Sequence, residues 1–267
     1  MEKPDYPDPH FTVTVLSQTE RPQRLIYAAM HQDYSEHCIS EKWESSIITE
    51  TTAGAIITKR LLAHQHFGPL EHPSITFSTG YFPHSVLQQA RTHRVGTTWD
   101  SQSNRYTSQR ILDLASLIEQ IKERTPNLSI QELAALVAPD IEKVFYLRPP
   151  GEYTDRQGDR YHYTTDHRLN DLVLVLHCVL HYKENVEGHG YSEEHARGLI
   201  PFDIRQHFVV SFNVRSLMHF MDMRMPLDAQ YEIRCLCELM WPHFQDWVPA
   251  VADWYSKTRK GKNKLAP

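Results

Sequence analysis

The sequence predicts a single helix-rich domain with a smaller sheet, spanning residues 1–267. Three observations predict it. Apolar residues recur at helical spacing in several long segments, most clearly Leu169, Leu172, Val173, Leu176 and Leu180. One run, His72 to Tyr81, alternates with a period of two instead. No internal repeat or domain-scale linker interrupts the chain, and 267 residues are enough to bury a core in one domain.

Taken in order, residues 1–24 are Pro-rich and polar, and a helix is expected from about Gln23, with Leu25, Ala28, Ala29 and Gln32 at helical spacing. Ile47 to Leu62 reads as a second helix, weakened by the β-branched residues before Ala53. In HPSITFSTGY, Ile75, Phe77 and Thr79 alternate with Ser74, Thr76 and Ser78, which predicts a strand. Phe82-Pro83 is then expected to open a helix with proline in its first turn. That helix would deliver its C-terminal end, Arg91 to Arg94, to a site, and Gly96 is a plausible stop.

Arg110 to Val144 reads as helical, broken by the turn at Thr125-Pro126-Asn127. Arg148 to His167 is turn-rich and polar and is expected to be a long loop or short excursion. The Leu169–Leu180 stripe makes the next helix, followed by a turn at Glu187–Tyr191 and a short helix or loop ending at Pro201. Asp203 to Met223 is expected to be helical, because Phe208, Phe212, Ser216 and Phe220 repeat every four residues. A last helix starts near Asp228, and the basic tail KTRKGKNKLAP is a solvated end.

Composition narrows the function. Hydrophobic content of 40% and charged content of 23% are those of an ordinary globular protein. A formal net charge of −5 argues against general nucleic-acid binding, which needs a basic domain. No apolar run approaches the ~20 residues of a membrane span; Leu172 to Leu180 is too short. The N-terminal MEKPDYPDPHFTV has no apolar signal core. Cys38, Cys178, Cys235 and Cys237 form no CxxC pair or disulfide frame, so a cytoplasmic protein with reduced thiols is expected.

Against that acidic background, Gln88 to Arg110 sets Arg91, His93, Arg94, Arg105 and Arg110 among Gln, Ser, Thr and Asn. Guanidinium forks suit phosphate and carboxylate oxygens, so a phosphorylated ligand is a natural partner; a solvated charged surface would carry the same run. HQHFGPLEH offers His64, His66, Glu71 and His72 as metal ligands, but Gly68-Pro69 breaks the helical register that paired ligands need. A turn there could equally hold a heterocycle.

In EEHARGLIPFDIR, Arg197 precedes a turn and either binds a ligand or satisfies helix-end carbonyls. Asn213 to Arg234 carries Asn213, Arg215, His219 and Arg224, with Arg215 and His219 an i, i+4 pair. An interface helix with satisfied arginines is the alternative. No GxSxG elbow, P-loop or strand-linked GxGxxG is present.

These residues resemble the flavin-dependent thymidylate synthases. That family carries an RHR-x7-S signature followed by R-Y. Here Arg91-Thr92-His93-Arg94 is followed, after eight intervening residues, by Ser103-Asn104-Arg105-Tyr106. The resemblance continues in His66-x-Gly68-Pro69-x-Glu71-His72 and in Ala196-Arg197-x-x-x-Pro201. It extends through Asn213-x-Arg215-Ser216-Leu217-Met218-x-Phe220, Arg224 and Ala229-Gln230-x-Glu232-Ile233. Two insertions set the chain apart. Either Arg91 or Thr92 occupies the first signature position, and Asp100 or Ser101 stands where the family has glutamate. His219 replaces a frequent asparagine, and the variants are similar to a subgroup with longer loops.

The resemblance implies an α/β fold of the α+β type, one helix-rich domain around a twisted, mostly antiparallel sheet. It implies conversion of dUMP to dTMP with FAD as redox carrier, methylenetetrahydrofolate as carbon donor and NADPH as reductant. It also implies a homotetramer with shared active sites; charge and hydropathy lead us to expect no nucleic-acid or membrane partner. His66, Gly68, Glu71, Arg91, Thr92, His93, Arg94, Asp100, Asn213, Arg215 and His219 would hold FAD. Gln89, Ser103, Asn104, Arg105 and Arg197 would hold dUMP, and Arg224 would bind the uracil ring and favour its ionised form. The alternative is a metal-dependent nucleotide hydrolase using His64, His66, Glu71 and His72.

Overall fold

Residues 8–43, 48–155 and 157–262 are described in this computed structural model. Strand β1 (Thr12–Gln18) leads into helix α1 (Pro22–Gln32). Helix α2 (Glu50–Ile57) continues as a wider π-helical turn through Leu62. Strand β2 (Ser74–Pro83), helix α3 (His84–Ala90) and strand β3 (Thr97–Ser101) follow. Then come helices α4 (Gln109–Arg124) and α5 (Ile130–Val144), strands β4 (Gly151–Thr154) and β5 (Arg160–Tyr163), and helices α6 (Thr165–Lys183) and α7 (Glu193–Ala196). Strand β6 (Arg205–Asn213) runs straight into helix α8 (Val214–Arg224), and helices α9 (Tyr231–Trp247) and α10 (Pro249–Thr258) complete the chain.

Four strands form an antiparallel sheet in the order β1-β2-β6-β3, so the fold is of the α+β type. By packing, the chain divides into two units interleaved in sequence. The sheet unit comprises Thr12–Thr79, Ala90–Asp100 and Val209–Pro267. The helical unit comprises Met1–Phe11, Gly80–Gln89 and Ser101–Phe208. In the sheet unit, Ile75 and Phe77 of β2 and Val210 and Phe212 of β6 are fully or almost fully buried. The hydroxyls of Thr76 and Ser211 meet at 2.8 Å. Trp99 packs edge-on against Phe212 at 5.7 Å.

In the helical unit, α4, α5 and α6 bury Ile111, Ala115, Ile118, Ala134, Val137, Ile141, Leu176 and Val179 together. Of the predicted α6 stripe, Leu172 and Leu176 are buried in this core, while Leu169, Val173 and Leu180 pack against it partly buried. Capping boxes at Ser129–Glu132 and Thr164–His167 start α5 and α6 by pairing backbone N–H groups that would otherwise go unsatisfied. The Thr125–Asn127 turn falls between α4 and α5 as expected.

Several expectations are corrected. The polar N-terminal stretch contains β1, and Thr97–Ser101 forms β3. Asp203–Met223 is not one helix; its first half is β6. Pro83 closes β2 and does not open α3, whose start is satisfied by Asp203 Oδ1 accepting from the Ser85 N–H at 3.1 Å. The Arg148–His167 stretch contains the antiparallel β4-β5 hairpin, with Gly151 opposite Tyr163, and the start of α6. The second predicted helix begins at Glu50; Ile47, its expected first residue, lies outside the described residues, as do 1–7 and the end of the basic tail. No helix among the described residues is long and apolar enough to cross a membrane.

Candidate active site

Helix α3 stops at Ala90, whose carbonyl accepts from the His93 N–H at 3.1 Å, so Arg91 to Arg94 form a turn and not a helix end. The His93 carbonyl accepts from Thr97 Oγ1 at 2.7 Å and from Trp99 Nε1 at 3.1 Å, which ties the turn to β3. The His93 ring lies edge-on to His219 at 5.3 Å and to Phe220 at 5.1 Å. Arg224 donates its Nε–H to His93 Nε2 at 3.0 Å. Because a guanidinium nitrogen only donates, this His93 nitrogen must be unprotonated, which leaves the proton on Nδ1. Burial, then the charge of Arg224, then His219 push the His93 pKa down to about 4. Burial also lowers His219 and Arg224.

Asn213 caps α8 through Oδ1, which accepts from the Ser216 N–H at 2.7 Å. Gly96 joins this cap to the signature turn: its carbonyl accepts from Ser216 Oγ at 2.8 Å and from the Asn213 N–H at 3.2 Å. Gly96 has φ +66°, and a Cβ there would lie 2.5 Å from Asn213 Nδ2. Two motifs far apart in sequence therefore meet through one glycine. One turn of α8 beyond His219, the carboxylate of Asp222 is fully enclosed and Oδ2 accepts from Arg259 Nη2 at 2.7 Å and Nε at 3.1 Å.

Gly68 and Glu71 bound a single 3₁₀ turn, and Glu71 pairs with Arg215 at 2.5 Å. His66 lies 3.8 Å from Asp33. Both His66 and Glu71 are thus engaged away from a common centre. Among the described residues no group of three or more His, Cys, Asp or Glu is placed to hold a metal, so His64, His66, Glu71 and His72 are not brought together as a ligand set, and the hydrolase alternative finds no support. Arg91, Thr92, Arg94 and Asp100 are exposed. All eleven residues expected to hold FAD, and Arg224, fall within the sheet unit.

The residues expected to hold dUMP fall within the helical unit. Ser103, Asn104 and Arg105 form a turn after β3 in which the Tyr106 N–H meets the Ser103 carbonyl at 3.0 Å. Asn104 Oδ1 accepts from Gln206 Nε2 at 3.2 Å. Arg105 and Arg197 flank one carboxylate, Glu194, at 3.6 and 4.0 Å, which leaves an excess of positive charge. Gln89 is half-buried in the last turn of α3. The sequence reading left out Gly96, Asp222 and Arg259 as supports. Gly96, the residue just before β3, carries no chemical signal of its own, and the Asp222–Arg259 pair spans 37 residues.

The residue set fits a flavin dinucleotide. Arg94 and Arg215 suit pyrophosphate oxygens, and His219 Nδ1 is a buried polar atom without a hydrogen-bond partner, as a flat heterocycle bearing its own donors and acceptors would satisfy. Fold and site together define an α+β protein built for phosphorylated, nucleotide-like ligands. A family model described as thymidylate synthase complementing protein matches residues 14–250. The flavin-dependent thymidylate synthase of Haloarcula marismortui is 30% identical over 263 residues, covering 96% of this chain and 99% of that protein. The enzyme of the same name from Halobacterium salinarum is 30% identical over 96% of this chain and 99% of its own length.

Among solved structures, thymidylate synthase X from Helicobacter pylori, with FAD and dUMP, shares the fold with a TM-score of 0.62 at 15% identity, covering 90% of this chain and 99% of that one. The UMP/dUMP methylase PolB from Streptomyces cacaoi gives a TM-score of 0.67 at 18% identity, covering 96% and 97%. This chain belongs to the thymidylate synthase complementing protein family, the flavin-dependent thymidylate synthases.

Proposed function

We propose that the chain converts dUMP to dTMP as an FAD-dependent thymidylate synthase, with methylenetetrahydrofolate as carbon donor and NADPH as reductant. The observation that carries this reading is the Arg224–His93 hydrogen bond, which joins the family's two principal motifs in one site. His66, Gly68, Glu71, Arg91, Thr92, His93, Arg94, Asp100, Asn213, Arg215 and His219 hold FAD, which supplies hydride chemistry when bound. Gln89, Ser103, Asn104, Arg105 and Arg197 hold dUMP. Arg224, oriented by His93, binds the uracil ring and stabilises negative charge on it.

Residues 1–267 act as one synthase domain in a cytoplasmic homotetramer with shared active sites. The absence of a cysteine among the proposed site residues fits chemistry that does not begin with thiol attack on the ring; Cys237, the thiol nearest Arg224 in charge interaction, is enclosed and its ionisation is strongly suppressed by burial. The purified protein should be yellow or take up FAD, and should oxidise NADPH faster with dUMP present. A protein that binds no flavin would overturn the reading.

A further inference from the structure

Arg110 is a half-buried cation that no carboxylate pairs with among the described residues. Its Nη2 reaches Asn104 Oδ1 at 3.4 Å, an oxygen already shared with Gln206, and its Nε is buried with no hydrogen-bond partner. Arg110 also sits in the first turn of α4, where no acidic residue is present and the helix dipole opposes a positive charge. Burial pushes its pKa down to about 10. The neighbouring His207 is held below its ordinary pKa by burial and by the Arg110 charge, so it adds no anion and stays neutral.

Tyr81 interacts with Arg110 through charge, which favours the cation but is outweighed by burial. Its backbone has φ +66°, an uncommon conformation for a tyrosine, and its carbonyl accepts from the buried Arg205 Nη1 at 2.9 Å. Its ring packs edge-on against His207 at 4.7 Å. Burial, the helix dipole and a missing counter-ion all work against Arg110 in the free protein. A group kept at such cost is explained by a ligand that neutralises it.

We propose that Arg110 is a ligand for the 5′-phosphate of the nucleotide. The inference rests on the assignment of Ser103, Asn104 and Arg105 to dUMP, because Asn104 is the residue that Arg110 touches. Charge supports it. Arg105 and Arg197 share Glu194, two positive charges against one negative, which leaves one. Arg110 adds a second, and a phosphate monoester carries about −1.5 to −2 at neutral pH. Nε and Nη2 form the edge of the guanidinium fork that binds two phosphate oxygens at once; the enclosed Nε lacks an acceptor, and Nη2 has a second hydrogen beyond the one aimed at Asn104.

The test compares equilibrium binding of dUMP and of deoxyuridine to the FAD-loaded protein, wild type against Arg110→Gln and Arg110→Lys. The expected result is dUMP affinity lowered about tenfold or more in Arg110→Gln, with deoxyuridine affinity and flavin absorbance unchanged. Arg110→Lys should recover part of the loss, since it restores charge without the fork. Equal dUMP affinity in Arg110→Gln and wild type would overturn the proposal. If Arg110→Gln does not fold, Arg110→Lys alone decides: a loss for dUMP but not for deoxyuridine supports the assignment, and no loss overturns it. A wild-type protein that takes up FAD but no dUMP sinks the nucleotide assignment itself, a result distinguishable from either outcome for Arg110.

Discussion

Arg224 and His93 are joined by a hydrogen bond of 3.0 Å in which the arginine Nε donates and the imidazole accepts. The bond fixes the plane of the guanidinium while leaving its two terminal amino groups for a ligand. Arg224→Ala should therefore lower turnover by at least about 10²-fold, the scale of losing a charge-stabilising donor. Flavin uptake and the circular dichroism spectrum should stay those of the wild type. Dithionite-free NADPH oxidation with dUMP measures it, and full activity in the variant rejects the role.

The same bond predicts a pH dependence. The folded-state pKa of His93 is near 4, below the ordinary 6.5, so the unfolded chain binds the proton more readily between these values. Stability from this group is complete above pH 6.5 and is lost as pH falls toward 4. His219, also lowered by burial, acts in the same direction. His93→Gln keeps an acceptor for Arg224 but cannot titrate. Its melting temperature should fall less than that of the wild type between neutral pH and pH 5, and parallel curves would contradict the assignment.

Gly96→Ala should destabilise the protein by about 1–3 kcal/mol, from the left-handed backbone and the crowded Cβ together. Because the clash is with Asn213 and Ser216, the loss should extend to flavin retention. Denaturant titration and visible absorbance after gel filtration read the two effects. Unchanged values for both would show that the Asn213 cap does not depend on this contact.

Arg259→Gln leaves the enclosed Asp222 carboxylate without its counter-ion and should cost about 3–5 kcal/mol in chemical denaturation. Burial already raises the Asp222 pKa, so the variant should regain stability on acidification, as the carboxyl becomes neutral. A variant whose stability matches the wild type at neutral pH would show that Asp222 does not need this arginine.

The helical unit was largely legible, because α4, α5 and α6 carry stripes at a period that only a helix buries on one side. Strand β6 was not. Phe208, Phe212, Ser216 and Phe220 repeat every four residues, and four is two periods of a strand as well as close to one turn of helix. The chain uses the first half as strand and the second as helix, changing at Asn213, whose side chain is a cap signal in the middle of the repeat. Val209 and Val210 in RQHFVVSFN were the β-branched clue. The candidate site residues were found through motif order. Their supports were not, since Gly96, Asp222 and Arg259 act through contacts 37 to 120 residues apart.

The two units take turns along the chain, three segments each, and the chain changes unit between Phe11 and Thr12, within β2, between Gln89 and Ala90, and within β3 and β6. No single break in the polypeptide separates them. A gene fission, a single crossover or a proteolytic nick would leave pieces of both units on at least one side. The residues proposed for flavin and those proposed for nucleotide are thus inherited as one piece, and neither set is open to exchange by shuffling whole modules.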